Sequence, residues 1–265
     1  MKNNNTSIVI RFFMRPIFVS FVALIFASDG FSQRAETVWV EAANGSNSIV
    51  LSELRDDEWS APAIIYSTEN PISRPSMATL PENSKLMIWS EQQLLRSVLM
   101  MARKDAASDV WQEPQLFSDF GKENTGVSVL VDLNGQLWVF WAANKTGLDD
   151  VYYVQERGGS WSEPRLINQP NDVPDHLPMA TNLTNGDVQL DWLSFNFVSS
   201  SYLTQTKVFK LDVPAVHQLD SDAIEKELTL ADVSLPSGLD PLAPAILHYP
   251  NNRLVQTIVL GASKL

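Results

Sequence analysis

Three places in this chain bring together side chains that could do chemistry. Asp149 and Asp150 are adjacent, Asp175 stands beside His176, and Arg74 precedes Pro75. A carboxylate next to a histidine can raise the imidazole pKa and orient the ring. An arginine presents a planar fork that holds a carboxylate at two points. Glu91, Asp119 and Lys145 add charge in loops of the same kind. Asp149-Asp150 supplies half of a calcium site, but no alternating acidic loop surrounds it. His176, His217 and His248 show no metal spacing. Neither a nucleotide-binding glycine loop nor a Gly-x-Ser-x-Gly elbow is present. The expectation is a site with no metal and no cofactor.

The elements that must position these residues announce themselves through tryptophan. Trp59, Trp111 and Trp161 are 52 and 50 residues apart, and each opens a Trp-x-x-Pro phrase. Trp89, Trp141 and Trp192 run in step, 52 and 51 apart. A period near 50 is the signature of a repeat architecture. Each period holds four strand-like runs. In the clearest period they are 126–130, 137–141, 151–154 and 161–167, with Asn134-Gly135 as a hairpin turn between the first two. Four-stranded units repeated radially predict an all-β fold, a β-propeller. The first strand is inner and carries small residues. The fourth is outer, where proline is tolerated because an edge N–H needs no ladder partner. The tryptophans are expected to fill the space between blades. Four blades are counted, with five, or a truncated six-bladed ring, as alternatives.

The ends are less regular. Residues 37–41 and 48–54 match second and third strands, so the N-terminal blade lacks its first strand. Residues 243–260 repeat strands one and two and are expected to complete that blade and close the ring. Residues 212–242 fit no blade, and 224–231 suggest a short helix behind an Asp220–Asp222 cap. Residues 1–32 read as a signal peptide: Lys2, Arg11 and Arg15, then the apolar run 16–27, then Gly30-Phe31-Ser32 at the cleavage point. Twelve apolar residues are short of the roughly 20 that span a bilayer. Residues 33–265 are then one propeller domain, exported to the periplasm or beyond. Removing three basic and one acidic residue leaves 16 basic and 30 acidic, net −14. Such a surface repels nucleic acid phosphate and anionic lipid, so neither is an expected partner. There is no cysteine, so stability must come from the core of a monomer.

From Asn134 to Pro164 the Gly-x-Leu-x-x-x-Trp second strand, the tyrosine-bearing third strand and the Gly-x-x-Trp-Ser-x-Pro fourth resemble the secreted bacterial sialidase-like propellers with BNR repeats. The resemblance covers roughly 37–210. Its Asp-box, Ser-x-Asp-x-Gly-x-x-Trp, is eroded: before Trp161 only Gly158 matches, with Glu156 and Val154 in the aspartate and serine positions. The resemblance implies glycans as ligands. It also implies, for an enzyme, three arginines, a tyrosine nucleophile with its glutamate, and an acid/base aspartate. Arg74 stands near the position of the first such arginine, and no second or third follows. The catalytic candidates are accordingly Arg74, Asp150 and Asp175, and the ligand-binding candidates are His176, Glu91, Asp119 and Lys145. All lie in fourth-to-first or second-to-third strand loops, which meet on one face of a propeller. The incomplete set favours a glycan-binding propeller over a sialidase-like hydrolase. A propeller that only binds a protein partner is the alternative.

Overall fold

The computed structural model describes residues 35–55, 58–108, 110–169, 171–211, 245–250 and 255–260. The signal peptide, the helix expected at 224–231 and the rest of the 212–242 segment lie outside them. Four antiparallel sheets make up the fold, a β-propeller. The first blade holds β1 (Ala35–Ala43), β2 (Ser46–Arg55), β3 (Glu58–Trp59) and β4 (Ala63–Thr68). The second holds β5 (Ser76–Thr79), β6 (Lys85–Gln93), β7 (Arg96–Lys104) and β8 (Gln115–Ser118). The third runs from β9 (Asn124–Val131) through β10 (Leu137–Asn144) and β11 (Asp149–Arg157) to β12 (Ser160–Trp161) and β13 (Arg165–Leu166). The fourth shows β14 (Asp175–Asn182), β15 (Val188–Asn196) and β16 (Ser201–Phe209). Two further strands, β17 (Ala245–Pro250) and β18 (Val255–Leu260), join the first blade, and β17 pairs with β1 through Thr37 opposite Leu247. Beyond β17, β18 extends that sheet inward, so the strand order is β18-β17-β1-β2.

The core lies between sheets, and tryptophan fills it. Trp39, Trp89, Trp141 and Trp192 occupy one register position of the second strands and are all buried. Trp141 packs on Ile88 and Leu99 of the second blade, Trp192 on Phe140 of the third, and Trp89 on Ile49 of the first. Each therefore seals its own blade to the one before it. A buried tryptophan covers about 150–250 Å², a gross gain of about 4–6 kcal/mol at about 25 cal/mol per Å². Because neighbouring blades cover both faces of a middle strand, β10 is buried almost throughout, in place of the alternation of a half-exposed sheet.

The Trp-x-x-Pro phrase differs from the single strand expected. The fourth strand breaks at the proline, into β3 and β4 in the first blade and β12 and β13 in the third. Proline has no N–H to give the ladder. The residue after each tryptophan compensates: Ser60, Gln112 and Ser162 donate their N–H groups to the carbonyls of Glu53, Arg103 and Gln155. Ser60 and Ser162 also accept the N–H of Glu53 and Gln155 at Oγ. Inner strands are joined by a second repeated device. Ser76 Oγ accepts the Val129 N–H at 2.9 Å, and Ser128 Oγ accepts the Ala180 N–H at 3.1 Å.

Candidate functional site

Aligning the blades on the second-strand tryptophans shows which positions depart from the repeat. Ala143 pairs with both Asn124 and Asp150; Ser194 pairs with both Asp175 and Leu203; Glu91 pairs with Val98 and bridges Ile72. Asp150 therefore takes the place of Val98 and Leu203, and Asp175 the place of Asn124 and Ile72. Glu91 takes the place of Ala143 and Ser194. In the first blade the Asp150 position is Ser48 and the Glu91 position is Glu41, which is exposed. Asp150, Asp175 and Glu91 are each at most 4% exposed.

Only two of the three have bonding capacity left. Glu91 accepts Tyr66 Oη at 3.0 Å and Asn70 Nδ2 at 2.7 Å, so it ties the first blade to the second. Asp175 accepts Asn168 Nδ2 at 3.1 Å and Asn171 Nδ2 at 3.2 Å, both at Oδ2. Its Oδ1 is buried with no partner, as are Asp150 Oδ1 and Asn168 Oδ1. The sister position shows what is missing. Asn124 Oδ1 accepts the Trp141 indole N–H at 3.1 Å, and its amide donates to the Ser97 and Gly121 carbonyls. In the fourth blade the matching indole, Trp192 Nε1, is itself without a partner. An unpartnered buried polar atom costs about 1–3 kcal/mol, so such atoms point to a ligand or a function.

Asp150 and Asp175 interact through space. Burial first, then the charges of Asp175 and Asp149, push the Asp150 carboxyl above the usual carboxylate range. Beside the pair, His176 Nδ1 lies 3.2 Å from Asp149 Oδ2, and its ring is 5.6 Å from that of Tyr202. Leu177, next in the chain, has φ of +50°, where the sister position is Gly126 at +61°. A side chain in the left-handed region stores about 1–3 kcal/mol, a cost found at functional sites.

Topology places the pair on the predicted face. Asp150 is the second residue of β11, after a second-to-third loop, and Asp175 opens β14 after a fourth-to-first loop. The other candidates share this face without joining the pair. Arg74 sits at the entrance to β5, on the second blade, where burial lowers the pKa of its guanidinium. Among the described residues it makes no ion pair. Asp119 accepts Arg96 at 3.0 Å with both side chains half exposed. Lys145 Nζ lies 4.4 Å from the centre of the Phe120 ring and donates to the Phe120 carbonyl. Arg103 pairs at 3.0 Å with Glu156 of the next blade. The eroded Asp-box position thus serves as a bond between blades. Among the described residues no three His, Asp or Glu side chains gather as a metal site. No helix among them is long and apolar enough to cross a membrane. A cleft of about 490 Å³ between the second and third blades lies on the opposite face, lined by Pro81, Glu82, Gly135 and Gly158.

Sequence reasoning singled out Asp150, Asp175 and His176 but missed Asn168, Asn171 and Tyr202, which complete their surroundings. The register of the repeat, rather than the loops, carries the signal for Asp150: a charge stands where its sister blades hold serine, valine and leucine.

No protein-family model and no curated protein sequence matches this chain. Solved structures do. An endo-arabinase from Bacteroides thetaiotaomicron is 10% identical, covering 93% of this chain and 98% of its own, with a TM-score of 0.49. A sialidase from Streptococcus pneumoniae is 12% identical over 71% of this chain and 30% of its own, TM-score 0.49. A fucose lectin from Kordia zhangzhouensis is 13% identical over 51% of this chain and 91% of its own, TM-score 0.35. At such values the site rests on its own geometry.

Proposed function

We propose that this protein is an exported propeller that binds a glycan on the face holding Asp150, Asp175 and His176. The observation that carries it is the pair of buried carboxylates with unpartnered oxygens, on two adjacent blades, where the matching residues of the other described strands are uncharged. Carboxylate oxygens and an imidazole are acceptors and donors matched to sugar hydroxyls. The resemblance of the blade phrase to sialidase-like propellers makes glycans the ligand class to test first. Export follows from the signal-like segment 1–32, and cell fractionation with an intact mass of the mature protein tests it.

Hydrolysis is the second reading, favoured by one feature. Burial and the charge of Asp175 raise the pKa of the Asp150 carboxyl, which is the kind of environment that suits a general acid. Against it stands the separation of Arg74 from the pair. Titration of the mature protein with a glycan panel is expected to give saturable binding that Asp175→Asn weakens at least about tenfold, the loss of about one charged hydrogen bond. A fluorogenic sialoside and aryl glycosides, offered in parallel, read turnover. Turnover abolished by Asp150→Asn would make the protein a hydrolase. Binding that survives Asp150→Asn, Asp175→Asn and His176→Ala alike would remove the site from the proposal.

A further inference from the structure

A strip of aromatic rings leads out from the carboxylate pair along the fourth blade. His176 faces Tyr202 at 5.6 Å, Tyr202 faces Phe195 at 5.2 Å, and Phe195 faces Phe197 at 5.1 Å. The last two contacts are edge-to-face, an arrangement that holds rings firmly. Phe197 is 67% exposed at the tip of the β15–β16 hairpin. The tip is not loose: Asn196 Oδ1 accepts the N–H groups of Val198 at 2.9 Å and Ser199 at 3.1 Å. A turn built around an asparagine acceptor thus holds a phenylalanine in water, next to a row of rings that ends in the polar site.

We infer that this strip is a stacking platform for a second sugar unit, so that the site takes a neutral oligosaccharide longer than one residue. The inference rests on the glycan reading above and extends it to ligand length and charge. A pyranose or furanose presents an apolar C–H face that an exposed ring covers, while its hydroxyls reach the carboxylates. Charge decides between neutral and acidic sugars. Asp149, Asp150 and Asp175 stand at the head of the strip, where His176 Nδ1 faces Asp149 Oδ2. Of the cations on the same face, Arg96 is bound to Asp119, Lys145 is turned onto Phe120, and Arg74, unpaired among the described residues, stands on the second blade at the entrance to β5. An acidic sugar would meet three carboxylates with no free guanidinium beside them.

Calorimetric titration of the mature protein with neutral xylo-, arabino- and galacto-oligosaccharides of increasing length, from the monosaccharide upward, tests this. A sialylated and a uronate-containing oligosaccharide serve as acidic counterparts. Affinity for one neutral series is expected to rise about tenfold from one unit to the next and then level off, the scale of one aromatic contact. Phe197→Ala is expected to erase that rise and leave monosaccharide affinity unchanged, Tyr202→Leu is expected to erase the rise as well, and Asp175→Asn lowers affinity for monosaccharide and oligosaccharide alike. Tyr202→Phe keeps the ring and is expected to keep the rise. Length-independent binding, equal loss of mono- and oligosaccharide affinity in Phe197→Ala, or tighter binding of the acidic sugars would overturn the platform and leave the glycan reading standing. No binding of any sugar would overturn both.

Discussion

At the scale of single residues, Asp150 ties the proposed site to the stability of the fold. Its carboxyl titrates above the usual range because burial and two neighbouring aspartates oppose its charge. The folded state therefore binds a proton more tightly there than the unfolded chain does. The stabilisation this represents is fully present below the ordinary aspartate pKa and is lost as pH rises through the raised value. Above that window an ionised Asp150 works against the fold. Asp150→Asn keeps the shape and removes the charge, so it is expected to raise the melting temperature at neutral pH. The gain is about 2–4 °C per kcal/mol recovered in a chain of this size. It is also expected to flatten the decline of stability between acid and neutral pH. Calorimetric scans of both proteins across that range check the sign, and a lower melting temperature in the variant would mean that Asp150 is satisfied in the native protein. Stability recovered together with binding lost is the pattern of a residue kept for function. Asp150 and Asp175 were visible in the sequence as two loop carboxylates among many. Their proximity was not, because it depends on two different blades meeting, and local spacing carries no information about that.

At the scale of elements, the blade phrase was legible and its meaning only partly so. Period and hairpin turns located the strands because tryptophan and Asn-Gly each have a direct structural cause. The interruption at Trp-x-x-Pro was not read, since its remedy is the N–H and hydroxyl of the residue between, Ser60 or Ser162. The serines that join inner strands also escaped notice, as small residues expected for a narrow axis. They carry a prediction. Ser76→Ala leaves the buried Val129 N–H without an acceptor and is expected to cost about 1–3 kcal/mol. Ser128→Ala, at a less buried bond to Ala180, is expected to cost about 1 kcal/mol. The two bonds lie at different blade interfaces, so urea denaturation of the double variant should return the sum within about 0.5 kcal/mol. Gly126 is the sharper case. Its φ is +61°, and a Cβ there would sit 3.3 Å from the Leu177 backbone. Gly126→Ala is expected to destabilise by about 1–2 kcal/mol. Because Leu177 adjoins His176, it is also expected to weaken ligand binding without touching the ligand. Unchanged binding in a folded variant would show that the Leu177 backbone does not hold the site.

At the scale of the whole molecule, a propeller must join its last blade to its first, and here the C-terminal strands do so. β17 supplies the first blade with an inner neighbour for β1, and it lies alongside β5 while β18 lies alongside β14. Residues 37–41 and the last strand both match a second strand, and both are accommodated: β18 does not replace β1 but adds a strand on the far side of β17. This hairpin was the least legible part of the fold because it carries no tryptophan, and tryptophan is what made the other blades readable. Without it, β1 would be an open sheet edge, exchanging its outward amides with water and offering a template to other chains. In an antiparallel ladder alternate amides of β1 face β2 and β17, so closure protects both sets where an edge protects one. Native-state hydrogen exchange is therefore expected to show Glu36, Thr37 and Val38 all protected, to the level of the central strand β6. A variant chain ending at 211 should keep protection in β6 and β10 but lose it at alternate amides of β1, and should self-associate on a sizing column. Full protection of β1 in that truncated chain would mean that something other than β17 covers the edge, and the ring would then be closed without its C-terminal strands.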